Sequence, residues 1–278
     1  MAIVTSIALF GAGGKMGVRL SKNLMGSAYD VRHVEVSQVG KDRLKNELGL
    51  TCVAVEDALS KVDVVILAVP DSFIGRLAAE IAPKLQAGTM VMTLDAAAPF
   101  AGHLPKRPDL TYFVAHPCHP NIFAPEVHTA GSPDYFGGVL APQSIVSALM
   151  QGPESAFELG EAIAKTIYQP ILRSYRVTVE QMALLEPGLS ETVCATLLDV
   201  MREAMDEVVA RGVPAEAARD FLLGHMTILS AVIFKQIPGQ FSDACNKAIT
   251  YGKPRLMRDD WKKVFDNKEI AESIERIT

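Results

Sequence analysis

The sequence predicts an α/β protein with a doubly wound parallel sheet, followed by an all-helical C-terminal domain. Three observations predict it. A strand-like run, Ser6 to Phe10, leads into glycines and then into a helical apolar period. Continuous apolar runs such as DVVILAVP, Asp63 to Pro70, alternate with helix-patterned segments as far as Val177. Buried parallel strands and their crossovers read this way. From Thr178 onward no strand-like run occurs. The expected division is therefore a sheet domain over residues 1–177 and a helical domain over residues 178–278, and the chain is long enough for two such cores.

Taken in order, Ser6 to Phe10 is a short run of strand formers. Gly11, Gly13, Gly14 and Gly17 follow, and Met16, Leu20 and Leu24 recur every four residues, the period of a helix face. Because position 16 is Met, the spacing is G-x-x-G-x-x-G through Gly11, Gly14 and Gly17, with Gly13 as an extra. One glycine lets the chain reverse tightly, one admits a pyrophosphate close to the backbone, and one lets helix and strand pack. The free N–H groups at the helix start would hold the phosphate charge. Strand, glycine turn and helix together read as a Rossmann-type dinucleotide-binding unit, with Gly11, Gly13, Gly14, Lys15, Met16 and Gly17 at the cofactor.

Val31 to Val36 reads as the second strand, ending near Glu35, eighteen residues past Gly17. An acid at about that spacing bonds the adenosine ribose hydroxyls. It would repel a 2′-phosphate, so NAD is expected over NADP, although Lys41 and Arg43 nearby carry the opposite sign. A short strand at Val53 to Val55 and a short helix at Glu56 to Lys61 come next. Pro70 ends the run DVVILAVP, and Asp71-Ser72 are expected to cap a helix from Phe73 to Leu85. Pro70 and Asp71 are counted with the cofactor residues. Gly88 to Asp95 and Leu110 to Ala115 are further strands. Gly138 to Leu140, Ile145 to Leu149, the helix Glu154 to Tyr168 and the strand Ile171 to Val177 complete the sheet. Ligands of such a sheet bind beyond the C-terminal ends of its strands.

In the helical half, Leu189 to Arg211 is amphipathic, with Val193, Leu197, Met201, Met205 and Val208 on one face. Gly212 stops it and Pro214 opens the next helix. That helix, Pro214 to Gln236, is apolar on nearly every side, and a partner subunit is its simplest cover. A homodimer through the helical domain is expected.

Two groups of residues could do chemistry. In HPCHP, His116 follows a strand, where the nicotinamide end of the cofactor should lie, and Pro117 and Pro120 stiffen the loop that carries His119. Oxidising an alcohol requires removal of its proton, which an imidazole suits at neutral pH. The other group is Glu180, Glu186 and Glu191 around MALLEPGLSE, where Pro187 and Gly188 are expected to interrupt the helix. A carboxylate on the apolar ALLE turn is costly unless paired or coordinating, which singles out Glu186.

Composition excludes other classes. The net charge of −5, with no basic cluster, argues against a nucleic-acid surface. The most apolar later segment, Phe221 to Phe234, is too short to span a bilayer. Four scattered cysteines without a C-x-x-C pair and the absence of a leader pattern lead us to expect a cytoplasmic protein.

The two-domain layout, DVVILAVP and the helical second half resemble the superfamily of β-hydroxyacid, 6-phosphogluconate, prephenate and ketol-acid dehydrogenases. The β-hydroxyacid branch carries a catalytic Lys shortly after a glycine, and LSETVCATLLD after Gly188 has none. Through GAGGKMG, LDAAAP and HPCHPNIF together, the chain is similar to the D-apionate oxidoisomerase family. That resemblance implies a branched sugar-acid substrate, a small hydroxy acid of the tetronic class, oxidised with NAD and rearranged in its carbon skeleton to 3-oxo-isoapionate. Such a migration suits a divalent metal, zinc, manganese or iron, with His116 and Glu186 as ligands and His119 and Glu191 in reserve. A ligated imidazole cannot also take the proton, so a metal-bound oxygen or Glu186 would then serve. The competing readings are a β-hydroxyacid or prephenate-type dehydrogenase without rearrangement, and a dinucleotide-binding sensor without turnover.

Overall fold

The computed structural model describes residues 4–129 and 131–277; the end residues of the two expected domains, Met1 and Thr278, lie outside them. Strand β1 (Ser6–Phe10) runs into the glycine turn and helix α1 (Lys15–Leu24). There follow β2 (Asp30–Val34), α2 (Gln38–Leu48), α3 (Val55–Leu59), β3 (Val64–Leu67), α4 (Asp71–Ile81), β4 (Met90–Thr93), α5 (Ala97–Phe100), β5 (Thr111–Pro117), β6 (Gln143–Gln151), α6 (Ala156–Ile167) and β7 (Ile171–Arg176). They form one seven-stranded sheet in the order β2-β1-β3-β4-β5-β6-β7. Both faces are covered. Ile7 and Leu9 of β1 pack into one apolar cluster and Ala8 and Phe10 into another, all buried, which is why the strand carries no polar alternation.

The first five strands are parallel, as expected, but β6 runs antiparallel to β5. The segment between them holds only a 3₁₀ turn, Pro125–His128, among its described residues, so no crossover helix carries the chain back to a parallel start. Helix α6 does cross between β6 and β7, and those two are parallel. Gly138 to Leu140 forms no strand. Asp134 instead gathers the backbone N–H groups of Val139, Leu140 and Ala141 at 3.1, 2.8 and 3.0 Å, which holds that stretch as a loop.

Other boundaries shift for local reasons. Between Val53 and Val55 there is only a bridge from Cys52 to His33. Helix α4 starts at Asp71 with Pro70 as its N-cap, so Asp71 and Ser72 lie inside the helix and do not cap it. Helix α2 had no counterpart in the sequence reading. Its buried face is only Gly40 and Leu44, too little for an apolar stripe.

Helix α7 (Val179–Ala183) passes into a wide π-helical segment, Leu184–Ala195, and then into α8 (Thr196–Ala210). Pro187 and Gly188, expected to interrupt the helix, are instead taken up in its wider π-helical turns. A proline lacks the N–H of the α-helical ladder, and the wider turn accommodates it. The remaining helices are α9 (Ala215–Ile233), α10 (Asp243–Leu256) and α11 (Asn267–Ile277). The first compact unit extends to Glu186 and takes in the segment from Ala271, and the second is Pro187–Ile270. The first reaches past residue 177 because Val179 and Met182 are buried against Val114, Val146 and Ala148 of the sheet. Among the described residues no helix is long and apolar enough to cross a membrane.

Candidate active site

Strand β1 neighbours both β2 and β3, so the chain order reverses there and a crevice opens beyond the strand ends. A cavity of about 570 Å³ occupies it, lined among others by Gly11, Gly13, Gly14, Glu35 and Pro70. Gly11 has φ +72°, and a Cβ there would stand 2.3 Å from the Ala68 carbonyl oxygen. A Cβ on Gly17 would stand 2.1 Å from the Gly11 carbonyl oxygen. Gly11 therefore makes the turn, and Gly17 brings α1 onto it from outside the cavity. Lys15 is exposed at the first position of α1, and Met16 packs against the core. The first turn of α1 carries no acidic residue, so its N–H groups face an anion without competition. Asp71 likewise stays outside the cavity lining, in the first turn of α4.

Glu35 lies just past the end of β2. Its carboxylate accepts the Gly13 N–H at 3.0 Å and the Ser37 N–H at 2.8 Å. These use two of about four acceptor positions, so the fixed carboxylate can still receive ribose hydroxyls. Arg43, the nearby cation, donates to the Gly13 carbonyl at 2.7 Å. It therefore braces the turn. Glu35→Ser is expected to erode a preference for NAD over NADP, read as the ratio of the two dissociation constants. Equal affinities in the unmodified protein would contradict the ribose role.

The second constellation lies at the C-terminal ends of β4 and β5. His116 is the penultimate residue of strand β5, inside the strand and not after it as expected, and its Nδ1 is 2.7 Å from the Leu94 carbonyl oxygen. A carbonyl only accepts, so Nδ1 carries the proton and Nε2 keeps the lone pair. Burial holds the His116 pKa below the usual imidazole value, which keeps the ring neutral at pH 7. Glu186 approaches the same ring, with Oε2 at 3.1 Å from Nδ1. The carboxylate of Asp95 is the third member. One donor atom each from Asp95, His116 and Glu186 lie within 4.8 Å of one another. Asp95 is fixed by accepting the Ala97 N–H at the start of α5, while its own carbonyl accepts from the Thr93 hydroxyl at 3.0 Å.

His119 is beside His116, ring centroids 6.3 Å apart, but outside this three-residue group. Its backbone is left-handed, φ +57°, and its Nδ1 meets the Phe136 carbonyl at 3.0 Å. The Glu180 carboxylate is spent on its own helix start, where hydrogen bonds to its own backbone and to Thr178 hold its pKa down. Glu191 belongs to the second unit. Asp95 is placed by the sequence at the C-terminal end of a strand, among the ligand-facing residues, but is given no role there. It stands in LDAAAP, and its carboxylate accepts the N–H of Ala97, the first residue of α5.

Comparison with known proteins finds relatives along the whole chain. Residues 125–278 match the family model "Phosphogluconate dehydrogenase (decarboxylating) C-term", and residues 6–98 match "NADP oxidoreductase coenzyme F420-dependent". The chain is 78% identical over 272 residues to a D-apionate oxidoisomerase of Cupriavidus necator, covering 98% of this chain and 99% of the relative. It is 70% identical over 275 residues to one of Rhizobium rhizogenes, covering 99% and 100%. A solved structure of a semialdehyde dehydrogenase NAD-binding protein from Cupriavidus necator, in complex with calcium and NAD, superposes with a TM-score of 0.96. The identity is 76%, covering 99% of this chain and all of that one.

Proposed function

The chain belongs to the D-apionate oxidoisomerase family, and on that premise we propose that it oxidises D-apionate with NAD and rearranges the product to 3-oxo-isoapionate. The observation that carries the reading is one sheet with two stations. A glycine cradle with Glu35 lies beyond β1 and β2, and Asp95, His116 and Glu186 lie beyond β4 and β5.

The cradle fits NAD because Gly11, pressed against the Ala68 carbonyl, makes the tight turn that leads into the helix N-terminus, and because Glu35 is already held beside it. NAD would supply the hydride acceptor for C2 of the substrate. The C2 hydroxyl proton goes to Nε2 of His116, whose ring the Leu94 carbonyl holds in the accepting tautomer. What remains is a 2-oxo acid beside a tertiary alcohol. Glu186 takes the tertiary hydroxyl proton, and a hydroxymethyl group moves from C3 to C2 with its bonding pair. The C3 oxygen then becomes a ketone and the C2 oxygen regains a proton. The second stage is an isomerisation, so only the first consumes NAD.

A specific observation favours a divalent cation in the second stage, namely one donor atom from each of two carboxylates and an imidazole gathered within 4.8 Å of one another. Asp95, His116 and Glu186 would hold it. Such a cation, when bound, stabilises adjacent alkoxide and ketone oxygens and lowers the alcohol's pKa. Mixed nitrogen and oxygen donors favour zinc, manganese or iron over calcium, the ion named for the solved neighbour. His116 would then be a ligand, and a carboxylate of the group would serve as base.

Helix α9 buries only Ala218, while Phe221 and Ile233 are 69% and 59% exposed and Phe234, its C-cap, is 65% exposed. Apolar surface of this extent calls for a cover, and a second copy through the helical domain supplies one. Light scattering at micromolar concentration should give about 60 kDa, twice the 30.0 kDa chain; a stable species of chain mass would contradict the dimer. Four free cysteines suit a reducing cytoplasm. Supplying NAD and D-apionate and following NADH tests the reading as a whole. NADH should accumulate with D-apionate and not without it, and no NADH would overturn it.

A further inference from the structure

We propose that Gly40 is a positioning residue for cofactor selectivity, because it leaves the space in which the Glu35 carboxylate is held for NAD. The inference rests on the NAD reading above. Three contacts meet at this glycine. A Cβ on Gly40 would lie 2.6 and 2.7 Å from Cδ and Cγ of Glu35 and 2.8 Å from Oγ of Ser37. A Cβ on Gly13 would lie 2.4 Å from the Gly40 carbonyl carbon, so the backbones of the two βα turns touch here. Glu35 lies in the wedge between them, bonded to the N–H groups of Gly13 and Ser37.

Gly40 is buried in the first turn of α2 and its N–H donates to the Ser37 hydroxyl at 3.0 Å. Its φ does not lie in the left-handed region, so the backbone itself accepts any residue. Alanine is moreover the better helix former. What forbids a side chain is the Glu35 carboxylate and the Ser37 hydroxyl, both at the ends of rotatable side chains. The prediction is thus specific. A methyl group at position 40 moves Glu35 out of its place and leaves the sheet and α2 standing. With the carboxylate displaced, NAD loses its ribose acceptor, and a 2′-phosphate no longer meets a fixed negative charge. Arg43 stays beside the turn, bound to the Gly13 carbonyl.

The test compares the unmodified protein, Gly40→Ala, Glu35→Ser and the double variant. Dissociation constants for NAD and NADP are measured by calorimetry and thermal midpoints by scanning calorimetry. Gly40→Ala should shrink the NAD preference on the order of tenfold, as the loss of charge-assisted hydrogen bonds implies. In the Glu35→Ser background there is no carboxylate to displace, so adding Gly40→Ala should leave the cofactor ratio unchanged. It should also change the thermal midpoint less than in the unmodified protein. A Gly40→Ala variant that keeps the full NAD preference overturns the proposal and leaves the ribose role of Glu35 standing. Equal loss of stability in both backgrounds also overturns it, since Gly40 would then serve the backbone contact alone. Equal NAD and NADP affinities in the unmodified protein overturn the Glu35 reading and this inference together.

Discussion

His116→Asn is expected to lower NADH formation from D-apionate by on the order of 10²–10⁴-fold while NAD binds as before. Asparagine can still donate to the Leu94 carbonyl, which now holds the ring through Nδ1. It has no basic atom where Nε2 stands, so proton removal from the substrate hydroxyl loses its acceptor. The cofactor cradle is built from β1, β2 and their turns and includes no atom of His116, which is why NAD affinity should hold. Steady-state rates with saturating NAD and a separate NAD titration check both halves. An unchanged rate would remove His116 from the reaction.

The second large effect is on the rearrangement. Protein treated with a chelator should bind NAD normally but lose most of its 3-oxo acid product, and added manganese should restore it. Glu186→Gln keeps the size of the side chain and removes its charge. Its affinity for manganese, followed by electron paramagnetic resonance, should fall on the order of 10–100-fold, a loss seen even when outer-shell partners of metal ligands are changed. Full product from metal-free protein would contradict the cation. A variant that keeps both manganese and activity would reduce Glu186 to a structural partner of His116.

The cofactor half was legible in the sequence because its residues are contiguous. Strand, Gly11, Gly14 and Gly17 occupy one short stretch, and the geometric demand of each glycine survives in the letter itself. Glu35 was legible by spacing. Gly40 was not, since a glycine near a helix start is ordinary until Glu35 is seen folded against it. The reactive half draws on three distant segments. His116 announces itself as HPCHP and Glu186 as a charge on an apolar turn, but Asp95 shows in the sequence only as an acid at a strand end, with nothing local to pair it with them. The reversal of β6 was hidden for a related reason. Direction depends on what the connecting segment does, and a loop pinned by Asp134 leaves no periodic trace. At Pro187 residue-level reasoning met a tertiary override, for the helix widens where the proline rule would break it.

The central claim is that oxidation and skeletal rearrangement occur on one protein. It is tested most directly by supplying D-apionate labelled with ¹³C in its hydroxymethyl carbons and following NADH and the carbon NMR spectrum together. The account predicts one NADH per substrate consumed and a labelled hydroxymethyl carbon newly bonded to C2, in 3-oxo-isoapionate. NADH accompanied by a 2-oxo acid with every labelled carbon still on C3 would contradict it.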